Sequence, residues 1–123
     1  ILLSDEPNLI VKKIKRAVTD SDAKVSYDSN RAGISNLVSL YSSLTGESYT
    51  DIEAKYAGSG YGTFKSDLAD LFVATIEPIQ KRYNDYKADH EYLNKVMRDG
   101  AERANLAASS TLIKVTDALG LVR

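Results

Sequence analysis

Apolar residues recur along this chain at steps of three and four, the spacing that puts side chains on one side of an α-helix. The first stripe is Ile10, Ile14, Ala17 and Val18, with Lys12, Lys13, Lys15 and Arg16 on the remaining faces. Ser4-Asp5-Glu6-Pro7 stands before it. Proline suits a first helical turn because the N–H it lacks would find no intrahelical partner there. The spacing therefore predicts a helix ending near Val18.

Residues 19–33 lose this period. Asp20-Ser21-Asp22 and Asp28-Ser29-Asn30 are turn chemistry. The segment reads as a long ordered loop anchored by Val25 and Tyr27.

The helical period resumes after Gly33, with Ser35 as the expected cap and Leu37, Leu40, Tyr41 and Leu44 as the inner face. Gly46 is placed to end this helix in the left-handed conformation. Ser48 and Asp51 form a weak capping box for a short helix with Tyr49, Ile52 and Tyr56 inward, stopped at Gly58.

After Gly58-Ser59-Gly60-Tyr61-Gly62, Thr63 is the expected cap of a long helix running towards Ala88. Phe64, Leu68, Leu71, Phe72, Thr75, Ile79, Tyr83 and Tyr86 make its stripe, widened by Ala69, Val73 and Ile76. Pro78 inside it should produce a kink.

Asp89 caps a last run over residues 90–119, with a buried stripe expected from Tyr92, Leu93, Val96 and Met97 through Ala101, Ala104, Ala108, Thr111 and Leu112 to Val115 and Leu119. Gly100 is a possible division of that run. Together with Ala101, Ala104, Ala107 and Ala108 it offers a small-residue face for a close neighbour. Gly120 ends the run. The pattern predicts an all-α protein, a five- or six-helix bundle with one long ordered loop, forming a single helical domain over residues 1–123.

Composition narrows what such a bundle can do. The 123 residues carry 16 Lys and Arg against 17 Asp and Glu, a net charge of −1, with 43% hydrophobic residues and no cysteine. A disulfide framework, a thiolate zinc site and a cysteine nucleophile are excluded. A globally basic nucleic-acid binder is excluded too, although a local basic face is not. No apolar run approaches the ~20 residues of a membrane span. The chain opens on Ile1-Leu2-Leu3 without methionine, which reads as a piece of a longer protein.

The candidate chemistry is sparse. The glycine loop at 58–62 lacks a preceding strand and a phosphate-loop signature, and reads as a turn. Asp28-Ser29-Asn30 starts like a calcium loop but has Ala32 and Ser39 at ligand positions. His90, the sole histidine, belongs to no catalytic motif and reads as a surface residue. The carboxylate pairs Asp67 with Asp70 and Asp85 with Asp89 read as solvated helix faces. The tyrosines Tyr41, Tyr56, Tyr83 and Tyr86 fall on apolar stripes and read as core. No residue qualifies as catalytic or as a metal ligand. The basic cluster Lys12-Lys13-x-Lys15-Arg16 is the best local charge feature, able to meet phosphates or simply to be the wet side of a helix.

Five strings are more specific. They are Lys13-Ile14-Lys15-Arg16-Ala17-Val18-Thr19-Asp20-Ser21; Gly33-Ile34-Ser35-Asn36-Leu37 continuing through Leu40-Tyr41-Ser42 to Leu44-Thr45-Gly46; Tyr56-Ala57-Gly58-Ser59-Gly60-Tyr61-Gly62-Thr63-Phe64-Lys65-Ser66-Asp67-Leu68-Ala69; Glu77-Pro78-Ile79-Gln80-Lys81-Arg82-Tyr83; and Gly100-Ala101-Glu102-Arg103-Ala104. In this order the chain resembles, over nearly its whole length, the C-terminal part of the bacterial-type tryptophanyl-tRNA synthetases, of class I. Two positions depart from the pattern: His90, where a helix-starting proline is common, and Ser59, where a lysine is common.

The resemblance implies a helical, anticodon-binding-type domain. The signatures H-I-G-H and K-M-S-K-S of the Rossmann catalytic domain are absent from these residues. The parent is then a cytoplasmic tryptophan–tRNA ligase, homodimeric, using ATP and Mg²⁺ to make tryptophanyl-adenylate and charging tRNA(Trp). This piece alone is expected to be inactive and to hold no cofactor, with the tRNA and the Rossmann domain of its own chain as partners. Lys12, Lys13, Lys15, Arg16, Arg31 and Lys65 are the candidate phosphate contacts. The competing expectation is a non-enzymatic helical interaction module.

Overall fold

The structure is a computed structural model, and it describes residues 1–121. Five helices and no strand occur among them: α1 Pro7–Lys15, α2 Ala32–Thr45, α3 Tyr49–Lys55, α4 Gly60–Ala88 and α5 His90–Leu119. The all-α expectation holds. The chain divides into two compact units, Ile1–Lys81 and Arg82–Arg123, with the boundary inside α4. No helix among the described residues is long and apolar enough to cross a membrane.

The first unit has the core. Ile10 and Ile14 of α1, Val25 of the loop, Ile34, Leu37, Val38 and Tyr41 of α2, Ile52 of α3, Tyr56, and Phe64, Leu68, Ala69, Phe72 and Ile76 of α4 form one buried cluster. The marked stripes are met in part: Leu37 and Tyr41 of α2 are buried, but Ile34 and Val38 join them in place of Leu40 and Leu44, which are only partly buried, and Tyr49, expected inward on α3, is exposed.

Several local expectations are corrected. Helix α1 stops at Lys15, with Arg16 as its C-cap, and Val18 is fully exposed rather than inward. The reason is that the Ala17 carbonyl is drawn out to the Lys65 ammonium, 2.8 Å away. Helix α2 starts at Ala32, so Gly33 lies inside its first turn and Ser35 is not the cap. Ser35 is buried instead, where its Oγ accepts from the Asp28 N–H at 2.9 Å and donates to the Asp28 carbonyl at 2.7 Å, closing the loop onto α2.

Ser48 caps α3 as expected, accepting from the Asp51 N–H at 3.2 Å and donating to its carboxylate at 2.6 Å. That helix ends at Lys55, before Gly58. Helix α4 begins at Gly60, leaving Thr63 exposed within it. The turn between α3 and α4 needs its glycines, since Gly58 and Gly60 have φ of +77° and +70°. Gly46 and Gly120 end α2 and α5 in the left-handed conformation.

The long apolar stripe of α4 is buried only as far as Ile76. Beyond it Ile79, Tyr83 and Tyr86 are exposed, and α4 continues as helix through Pro78. Asp89 caps α5, accepting from the Tyr92 N–H at 2.9 Å. Gly100 does not divide α5, and none of its expected core stripe is buried. A unit made of the end of one helix and one further helix has no additional layer to cover that stripe.

Candidate nucleic-acid interface

The cations of α1 separate by their surroundings. Ile10 and Ile14 bury one side of the helix. Lys12, Lys15 and Arg16, related by steps of three and four, share another side, are exposed, and make no ion pair among the described residues. Basic residues also suit this end of a helix, where unpaired carbonyls carry partial negative charge. Lys13 is engaged: its Nζ lies 2.6 Å from Oδ2 of buried Asp5, which also accepts from the Leu2 N–H at 2.8 Å. The Lys13 hydrogen bond, then the Leu2 amide, hold the Asp5 carboxyl below the usual carboxylate range.

Lys65 and Arg31 are turned into the protein. Lys65 is buried, donating to the Ala17 carbonyl at 2.8 Å and to Thr19 Oγ1 at 2.9 Å, with its ammonium over the Tyr61 ring. Arg31 clamps Asp20 in a two-pronged pair, Nε to Oδ2 at 2.9 Å and Nη2 to Oδ1 at 3.0 Å. It also donates to Ser26 Oγ, the Lys24 carbonyl and Tyr61 Oη at 2.6–2.9 Å. The Tyr61 hydroxyl donates to Asp20 Oδ1. These two cations therefore fasten residues 17–31 to the start of α4.

Within that knot, hydrogen bonds first from Arg31 and then from Tyr61 hold the Asp20 carboxyl far below the usual range. A carboxylate whose folded pKa is depressed stabilises the fold above its unfolded pKa of about 3.9, and the contribution is lost as pH falls below that value. The melting temperature should drop on acidification below about pH 4, and Asp20→Asn should flatten that drop. Equal acid sensitivity of the variant and the parent chain, followed by circular dichroism, would remove Asp20 from the account.

The tyrosines also divide. Tyr41 and Tyr56 are core, in edge-on contact at 5.7 Å, and Tyr56 Oη donates to Asp67 at 2.9 Å. Burial first, then hydrogen bonds with Tyr41 and Asp67, push the Tyr56 hydroxyl up from its ordinary value. Tyr83 and Tyr86 are exposed, against the expectation that they are core, because the second unit encloses no apolar interior. Tyr27 and Tyr49 are half-exposed and stacked on one another. Alternation and helical period mark single faces, so neither reveals a pairing between a loop residue and a helix residue.

Among the described residues no three His, Asp or Glu side chains converge, and the glycine loop is a turn whose nearby Lys65 faces Ala17 and Thr19. His90 is exposed at the start of α5.

Comparison with known proteins agrees with this architecture. The family model for tRNA synthetases class I (W and Y) matches residues 1–77. The tryptophan–tRNA ligase of Bacillus anthracis is 49% identical over 124 residues, covering all of this chain and 37% of that protein. The ligase of Clostridium tetani is 43% identical over 122 residues, covering 99% of this chain and 36% of that protein. A crystal structure of tryptophanyl-tRNA synthetase from Mycoplasma pneumoniae superimposes with a TM-score of 0.74 at 26% identity, covering 99% of this chain and 38% of that one. The chain thus spans little more than a third of these relatives, which do not favour a free-standing interaction module. Its matched residues contain α1 with its cationic face, the Arg31 and Lys65 braces and the whole buried core, and on that match the chain belongs to the class I tRNA synthetases of the W and Y family.

Proposed function

We propose that this chain is the C-terminal helical part of a tryptophan–tRNA ligase and that it positions the anticodon region of tRNA(Trp). The whole enzyme would activate tryptophan with ATP and Mg²⁺ as tryptophanyl-adenylate and transfer it to the tRNA, working as a cytoplasmic homodimer. This part holds no catalytic group for those steps. The single observation that carries the reading is near-half identity along the entire chain to proteins named tryptophan–tRNA ligase.

On this reading Lys12, Lys15 and Arg16 meet RNA phosphates directly, and Lys13 adds charge beside them while tethering Asp5. Arg31 and Lys65 serve the same face indirectly, by holding the segment that leaves α1. Phosphate contacts of this kind position a nucleic acid and do not read its sequence. The exposed apolar residues of α5, Leu106, Leu112, Val115 and Leu119 among them, dock against the Rossmann domain of the same protein.

The test uses the full-length ligase carrying Lys12→Glu and Arg16→Glu. Its tRNA(Trp) affinity should fall about ten-fold or more, and the slope of log affinity against log salt should shrink by roughly one unit per lost phosphate contact. Tryptophan-dependent ATP–pyrophosphate exchange should stay at the parent level. Unchanged affinity and slope would return this face to plain solvation.

A further inference from the structure

Tyr41, Tyr56 and Phe64 of the first unit meet in the core at edge-on or tilted angles. One pair differs. Tyr27 of the loop and Tyr49 of α3 lie nearly parallel, 14° apart with centroids at 4.5 Å, and are 47% and 38% exposed. Stacking occupies one face of each ring, and both residues still keep surface open to solvent. The pair is held from within the chain: the Tyr27 N–H donates to Glu53 Oε1 at 2.8 Å, and Tyr49 Oη shares a hydrogen bond with Ser39 Oγ at 3.2 Å. Flat rings fixed in advance lose little freedom on binding, which favours a flat aromatic ligand.

We infer that Tyr27 and Tyr49 are a stacking platform for an unpaired base of the bound RNA, and that Glu53 accepts a hydrogen bond from that base's exocyclic amine. This rests on the tRNA-binding reading and names one contact within it. Single-stranded bases are commonly held on aromatic side chains, because every base has a π-face. Glu53 uses one oxygen on the Tyr27 amide, which leaves the other to accept. A carboxylate accepts from an amino group, so the exocyclic amine of cytosine, adenine or guanine suits it, and uracil has no such amine. Asp28 and Asp51 flank the two tyrosines in sequence. Their charge disfavours phosphate, so a base, and not the backbone, approaches the platform.

The experiment places 2-aminopurine at each unpaired anticodon-loop position of a tRNA(Trp) transcript in turn and titrates it with the full-length ligase. One position should change fluorescence on binding. Tyr27→Leu, which keeps bulk but removes the flat face, should abolish that change and weaken tRNA binding roughly ten- to hundred-fold. Tyr27→Phe should preserve both, and pyrophosphate exchange should be unaffected throughout. A Tyr27→Leu enzyme with the parent's melting temperature, affinity and fluorescence change would overturn the platform. If Tyr27→Leu melts early, Tyr49→Leu takes its place, with the same two outcomes. Should the platform variants bind normally while Lys12→Glu with Arg16→Glu binds poorly, only the platform falls. Should all of them bind normally, the tRNA-binding reading falls with it.

Discussion

Replacing Phe64 with alanine should lower the stability of the chain by about 3–5 kcal/mol. Phe64 is fully buried at the N-terminal end of α4, in ring contact with Tyr56 at 5.0 Å and with Tyr41 at 5.7 Å. Removing the ring leaves a cavity between α2 and α4 and deletes two aromatic contacts worth about 0.5–1.5 kcal/mol each beyond simple burial. Urea unfolding followed by circular dichroism should show a lower midpoint with an unchanged slope. Tyr86→Ala, at an exposed position of the same helix, should change the midpoint little. A loss at Phe64 below about 1 kcal/mol would show that the core can close over the gap. The functional consequence follows from the neighbour in sequence. Lys65 reaches Ala17 and Thr19 only if this turn of α4 keeps its place.

Gly33→Ala should destabilise the chain by about 1–3 kcal/mol, opposite in sign to the usual change. Alanine inside a helix ordinarily gains close to 1 kcal/mol over glycine. Here an added Cβ would sit 2.4 Å from the Val18 carbonyl oxygen and 3.3 Å from its carbon. Both are backbone atoms, so either α2 or the segment leaving α1 must move. A chain melting at or above the parent temperature would show that the approach is looser than this. Hydrogen exchange should locate the disturbance at residues 17–22, and tRNA affinity of the full-length variant should fall with it, because that segment follows directly on Arg16, the last cation of the exposed face.

The origin of these two effects marks where local pattern stops being sufficient. Phe64 was visible as the head of an apolar stripe. The importance of Gly33 was not, because the residue it approaches, Val18, belongs to a different helix's exit. The same limit explains Lys65. Next to a glycine loop and carrying a charge, it reads as a phosphate contact, and only the packing of α4 against the end of α1 turns its ammonium onto a carbonyl. Arg31 is a second case. Its partners Asp20, Ser26 and Tyr61 come from three places along the chain, and no spacing rule links them. Helices α4 and α5 differ from their patterns in the other direction. A helical stripe states that a face is apolar, not that anything within the same piece of chain covers it, and here Tyr83 and Tyr86 stay exposed and no residue of α5 is buried.

By itself the sequence determined the helical class, the positions of the caps at Ser48, Asp89, Gly46 and Gly120, core residues such as Ile10, Ile14, Leu37, Tyr41, Ile52, Tyr56, Phe64, Leu68, Phe72 and Ile76, and a family resemblance carried by five strings. All of these depend on residues within a turn or two of each other, or on the order of words in the chain. Tertiary structure decided which cations face solvent and which act as braces, where α1 ends and α2 begins, and that Tyr27 and Tyr49 meet. Those outcomes depend on atoms brought together from distant positions, where burial makes an ammonium or a guanidinium satisfy the nearest carbonyl or carboxylate, whatever its place in the sequence.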